Sequence, residues 1–293
     1  MENISRVIVS LVYYNSLLRD TLEYTLPRPN GYDVRYYDYK RNGIVNEIKL
    51  NTPLKVFLDQ NGDKGSELRK KLEDYGNELY SDTSTVIKKA SDGLRVDHAQ
   101  NLKIFELTIP LHEELNQVIR LHVNYARQNN VLEDKIAKLV EADERFYRAV
   151  ALLSLNGEID RQFVEFNKAM RESKGQPTPA SNFVQNDLNS LVRCLATVRQ
   201  GATCKDELYT DALDAVFHCV EMMNGKRDLP KGKTFQDVFN DANIKIGAFV
   251  RDSEAAWRSN YTPLLNELIS DNQKAREAAQ AKAQEAEGNK EAK

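Results

Sequence analysis

Lys231-Gly232-Lys233-Thr234 is the segment of this chain that comes nearest to a phosphate-binding loop. Such a loop needs G-x-x-x-x-G-K-[ST], so that glycine amides cradle the phosphate and the lysine reaches it. The first glycine would fall at position 227, which is Arg227. The pattern before it is a helix ending at Gly225, whereas a phosphate loop follows a strand. The segment therefore reads as a turn with Thr234 as a helix cap.

His112-Glu113-Glu114-Leu115-Asn116 approaches the zinc-protease pattern H-E-x-x-H, in which two imidazoles share one helix face. The fifth residue is Asn116, so the second ligand is missing. No histidine has a glutamate three residues before it, so the di-iron bundle signature is absent as well. His218 precedes Cys219, but adjacent helical side chains point about 100° apart and do not face each other. Cys219 reads as a buried structural thiol. No G-x-S-x-G elbow or G-x-G-x-x-G loop occurs. The sequence assigns no catalytic residue, cofactor or metal site, and an enzyme is the less favoured reading.

Two residue sets fit recognition better. Tyr32, Tyr36, Tyr37 and Tyr39 interleave with Arg35, Lys40 and Arg41. Aromatic faces and cations together can stack and neutralise single-stranded nucleic acid. Asp33 and Asp38 dilute the charge, and Tyr and Arg are favoured where proteins meet, so a protein contact is preferred over nucleic acid, while plain strand packing, in which tyrosines are common, is the leading reading of the patch. The second set is His122, Asn129 and Asp143, polar residues at a positions of a heptad seam. Such residues cost stability but can fix register and partner number; equally, the positions can rotate out towards solvent in a globular bundle.

The seam belongs to the longest periodic stretch. Its d positions are Leu111, Val118, Tyr125, Leu132, Leu139, Phe146 and Leu153, and Leu115, Ile136 and Val150 occupy other a positions. One continuous helix of six heptads is expected, about 65 Å at 1.5 Å per residue. Thr108 and Pro110 would open it, and Gly157 would end or kink it. Ile119, Ala126, Val140 and Tyr147 at e positions widen the stripe, which suits a multi-helix bundle.

Around it the elements read in chain order. Val7, Leu11, Asn15, Leu18 and Leu22 mark one face of an N-terminal helix that stops before Pro27. Alternation from Tyr32, with turns at Asn42-Gly43 and Asn61-Gly62, predicts a small antiparallel sheet over 32–60. Leu102 to Ile109 is a further strand candidate. Ser66 caps a short helix between them. Lys174 to Ser181 is a linker. Three more helices follow, through Leu188, Leu213 and Phe239. Asn224-Gly225 is a C-cap, Thr234 and Asp237 form a capping box, and Pro263 restarts a helix. From Asn272 on there is no large apolar residue, only seven Ala and near-balanced charge, so the tail should fray.

The expected fold is mainly α: an elongated helical bundle with a long heptad-patterned helix and a small N-terminal antiparallel β-sheet. Its parts are 1–109 mixed, 110–271 bundle and 272–293 tail. Composition narrows function further. Basic and acidic residues number 41 and 44, for a formal charge of -3, which disfavours a dedicated polyanion binder. Mean hydropathy is -0.59, and no apolar run nears the roughly 18 residues that span a bilayer. Three cysteines without C-x-x-C spacing suit a reducing, cytoplasmic setting, and the N-terminus lacks the pattern of a signal peptide. The leading expectation is a structural or protein-interaction protein that binds a partner chain or itself through the bundle. The alternatives are a nucleic-acid-associated factor using the Tyr/Arg/Lys patch, or a virion component.

Overall fold

The structure is a computed structural model. It describes residues 2–23, 63, 65–74, 98–174, 176, 179–203 and 205–291. Among these there are seven helices and no strand. They are α1 (Glu2–Glu23), α2 (65–74), α3 (His98–Gln128), α4 (Asp134–Glu172), α5 (Pro179–Gly201), α6 (Glu207–Met223) and α7 (Phe235–Glu291). The predicted sheet over 32–60 lies outside the described residues. Among the described residues, no helix is long and apolar enough to cross a membrane.

Leu102 to Ile109 is not a strand but the second and third turns of α3. Leu102, Phe105 and Ile109 recur at steps of three and four and are all buried, which is helical spacing. The helix also runs through Pro110 instead of starting there. The boundary expected at 109/110 thus falls inside α3. Pro110 is exposed, so its ring and the backbone carbonyl it leaves free face water.

The expected six-heptad rod is two helices. α3 ends at Gln128, and Asn130 turns the chain with φ of 53°. Asparagine tolerates this left-handed geometry because its short polar side chain can bond locally. α4 then runs back against α3. Arg120 pairs with Glu144 and Arg127 with Glu141, so residue numbers rise on one helix as they fall on the other. The seam also drifts. On α3 the buried line is Phe105, Ile109, His112, Leu115, Ile119, Val123 and Ala126, while Tyr125 at a d position is 59% exposed. A straight helix slips about 20° per heptad, and here nothing supercoils it back.

α4 is the centre. It packs against α1, α3, α5, α6 and α7. From Phe146 to Leu152 every side chain is buried, as expected of a helix enclosed on all sides. Gly157 does not end it.

Local signals read from sequence hold elsewhere. Thr234 N–H and hydroxyl both donate to Asp237 Oδ2 at 2.7 Å, and Asp237 N–H returns a bond to Thr234 Oγ1. After α6, Gly225 has φ of 65°, and Lys226 N–H reaches Glu221 O at 2.8 Å, closing a Schellman turn. α7 passes Pro263 without a break and continues as helix to Glu291. Tyr261 and Leu264 are its last buried residues among those described. Asn266, Glu267, Ser270, Lys274 and Glu277 are exposed.

Candidate functional site

The interior between α1, α3, α4 and α7 holds charge. Arg19 on α1 and Asp143 on α4 are each 2% exposed, and Arg19 Nη1 lies 2.8 Å from Asp143 Oδ1. Trp257 on α7 donates its indole N–H to the same oxygen at 3.0 Å. The Arg19 guanidinium sits 4.4 Å from the Phe146 ring centre and 4.3 Å from that of Trp257. A guanidinium between two aromatic faces keeps a favourable field after losing its water. Burial pushes the Asp143 carboxyl up from 3.8 to about 6, against the pull of Arg19 and the Trp257 bond. Desolvation is the larger effect here because Arg19, Asp143 and Phe146 are buried and Trp257 is partly buried.

A second group lies on the α1/α3 face. Asn15 Nδ2 donates to Asn116 Oδ1 at 2.7 Å, and Asn116 Nδ2 lies 3.1 Å from His112 Nδ1. With the amides so oriented, His112 Nδ1 accepts and the proton of the neutral ring is on Nε2. The ring stacks on Tyr147 of α4, with centroids 3.4 Å apart and planes 8° from parallel. Burial, with help from Arg148 and Arg19, holds His112 well below its ordinary 6.5, so it is neutral at pH 7.

The third group joins α3, α4 and α5. Arg148 grips both oxygens of Glu113, with Nη2 at 2.9 Å from Oε2. Its Nη2 is also 3.5 Å from Glu144. Glu144 in turn accepts from Arg120 at 2.8 Å and from the Thr203 hydroxyl at 2.8 Å. Arg120 donates as well to Gly201 O at 2.6 Å. A Cβ on Gly201 would overlap the Glu113 carboxylate, so glycine here allows the end of α5 to close over the pair.

His112, Glu113, Asn116 and Arg120 lie at helical spacing on one side of α3, and Asp143, Glu144, Tyr147 and Arg148 occupy adjoining turns of α4. The buried charges find counter-charges and donors within the chain, as buried charges must. What this arrangement does chemically is hold five helices, α1, α3, α4, α5 and α7, in one register. A shift of one residue in α1 would carry Arg19 away from the buried Asp143 carboxylate.

Of the residues singled out in the sequence, Asp143 is in this network. His122 is half-buried on α3, with Nδ1 2.8 Å from Val118 O. It lies two residues past Arg120, about 200° round the helix, and so off the face that meets α4. Asn129 is exposed in the turn after α3 and bonds Tyr125 O at 2.9 Å. The three do not share one seam, because the chain folds back after Asn129 and His122 is turned off the face that meets α4. Tyr32, Arg35, Tyr36, Tyr37, Tyr39, Lys40 and Arg41 lie outside the described residues. Arg19, Asn15, Glu113, Glu144, Arg148 and Trp257 were missed as a set, since their partners are far away in sequence. Asn15 on an apolar helix face was the one visible hint.

Burial pushes the Cys194 and Cys219 thiols up to about 12, far from the thiolate a nucleophile needs. Among the described residues, no group of three or more His, Cys, Asp or Glu is placed to hold a metal ion. Against known proteins, the chain matches no family model, no curated protein and no solved structure.

Proposed function

We propose that this chain is a structural, protein-interaction protein, and that it associates with a second copy of itself through the end of α7. The observation that carries the reading is the length of that helix. α7 comprises 57 residues, but its last buried residue among those described is Leu264. Beyond it lies roughly 40 Å of helix at 1.5 Å per residue. Residues 272–291 have no large apolar side chain with which to bury a face on their own bundle. A helix polar all round is marginal alone in water.

The same end of the molecule carries the tip of the α3/α4 hairpin. Lys135 at the start of α4 pairs with Glu267 at 2.7 Å, which places the tip beside the point where α7 leaves its buried stretch. Leu121 and Tyr125, one turn apart on α3, are 66% and 59% exposed. A second chain has both a helix and an apolar step to engage there. The buried network supports this reading from the other side, because its charged groups are directed to one another and hold the helices in place.

The experiment is a chain ending at Ser270, compared with the full chain by light scattering after size exclusion. Association lost on truncation, with helicity and melting of the bundle retained, is the expected result. Equal masses for the two chains would contradict the reading.

A further inference from the structure

Asp143, Arg19 and Trp257 bring one carboxylate, one guanidinium and one indole from three helices to a single buried point. The contact is unusual in its geometry, because the cation has two kinds of partner. One is the carboxylate at 2.8 Å; the other is the pair of ring faces of Phe146 and Trp257. Removing the negative charge would leave the second kind in place. The carboxyl oxygen could also still accept from Trp257 after taking up a proton.

We infer that this junction is a proton-operated contact, in which Asp143 takes up one proton while Arg19 stays charged, so that α1 passes from an ion pair to an aromatic clamp without leaving the bundle. The step is a plain protonation: a carboxylate and a proton from solvent give a carboxylic acid. α1 itself stays docked, since Ile8, Leu11, Val12, Leu18 and Leu22 on it are buried independently of this charge.

The groups around Asp143 define the response. From α1 come Arg19 and, 3.9 Å from its Nη2, Asp20. From α7 come Trp257 and Tyr261, the latter coupled to Asp143, Arg19 and Asp20. Glu144 on α4 repels the Asp143 charge. His112 on α3 feels Arg19, but its burial keeps it neutral into more acidic solution. α6 presents Asp206 to Arg145, two residues further along α4, and α5 brings Cys194 beside Tyr147. Burial displaces Asp143 into the range near pH 6.

The sign follows. The docked carboxyl holds its proton up to about pH 6 and a solvated one only to 3.8, so acidification through that window tightens the junction. Trp257 is the sole tryptophan of the chain, so its emission reads this one place.

The test is a pH titration of Trp257 fluorescence on the full chain between pH 5 and 8, with helicity followed in parallel. The expected result is a single one-proton midpoint near 6 at constant helicity, absent in Asp143→Asn and retained in His112→Gln. Carboxyl carbon NMR of the unsubstituted chain, labelled at aspartate, gives the same answer without any variant: one aspartate should titrate near 6. A flat emission profile, a midpoint that survives in Asp143→Asn, or aspartates that all titrate below 5 would each overturn the inference.

Discussion

Arg148 lies with its guanidinium against Glu113 and Glu144, and its side chain has no exposure. Replacing it by methionine removes the cation and leaves Glu113 buried with its charge uncompensated. Arg148→Met should cost about 3–5 kcal/mol of stability in a denaturant titration, and the double variant Glu113→Leu/Arg148→Met should recover much of that. A loss in the double variant equal to the sum of the losses in Glu113→Leu and Arg148→Met would mean that the pair is not coupled. Gly201→Ala tests the same spot from α5. Its methyl meets a carboxylate that Arg148 keeps from moving, so about 1–3 kcal/mol should be lost. At this scale the sequence was only partly legible. Asp143 stood out because a carboxylate interrupts an apolar seam. Its partner Arg19 is 124 residues away, and Glu113 is 35 residues from Arg148. No local spacing encodes such pairs, since they exist only once α1, α3 and α4 are side by side.

At the scale of elements, helices announce themselves by period and by caps, and both were readable. The capping box of α7 should be worth about 1 kcal/mol, seen as the loss in Thr234→Ala. Asp206→Ala should cost a similar or larger amount, because Asp206 caps α6 through Tyr209 N–H and also pairs with Arg145. What period alone cannot give is where a long helix folds back. The heptad count ran straight through Asn129-Asn130, since neither residue forbids a helix. Asn130 takes a left-handed backbone there, so Asn130→Val should cost about 1–2 kcal/mol while Asn130→Gly should be tolerated. The strand expected at Leu102 to Ile109 failed for the reverse reason. Eight residues are too short to separate alternation from helical recurrence when both place leucine and isoleucine inside.

For the whole molecule, two buried groups make stability depend on pH in opposite senses. His112 is held below 6.5 in the fold, so as pH falls the unfolded chain takes a proton that the folded chain refuses, and stability is lost below 6.5. Asp143 is raised to about 6, so its contribution is full below 3.8 and is lost as pH rises through about 6. Between these values the two effects offset, and Asp143→Asn should steepen the acid limb measured by chemical denaturation. On the alkaline side, Cys194 and Cys219 keep their protons in the fold to about 12 but release them near 9 when unfolded. Stability should therefore decline above pH 9.

The central claim is that the bundle is complete without the end of α7, and that this end joins one chain to another. Light-scattering mass after size exclusion, on the full chain and on a chain ending at Ser270, tests it most directly. The account predicts a mass at least twice 33.5 kDa for the full chain, and a folded monomer with an unchanged melting temperature for the shorter one. A full chain that runs as a 33.5 kDa monomer, or a shorter chain that associates equally well, would contradict it.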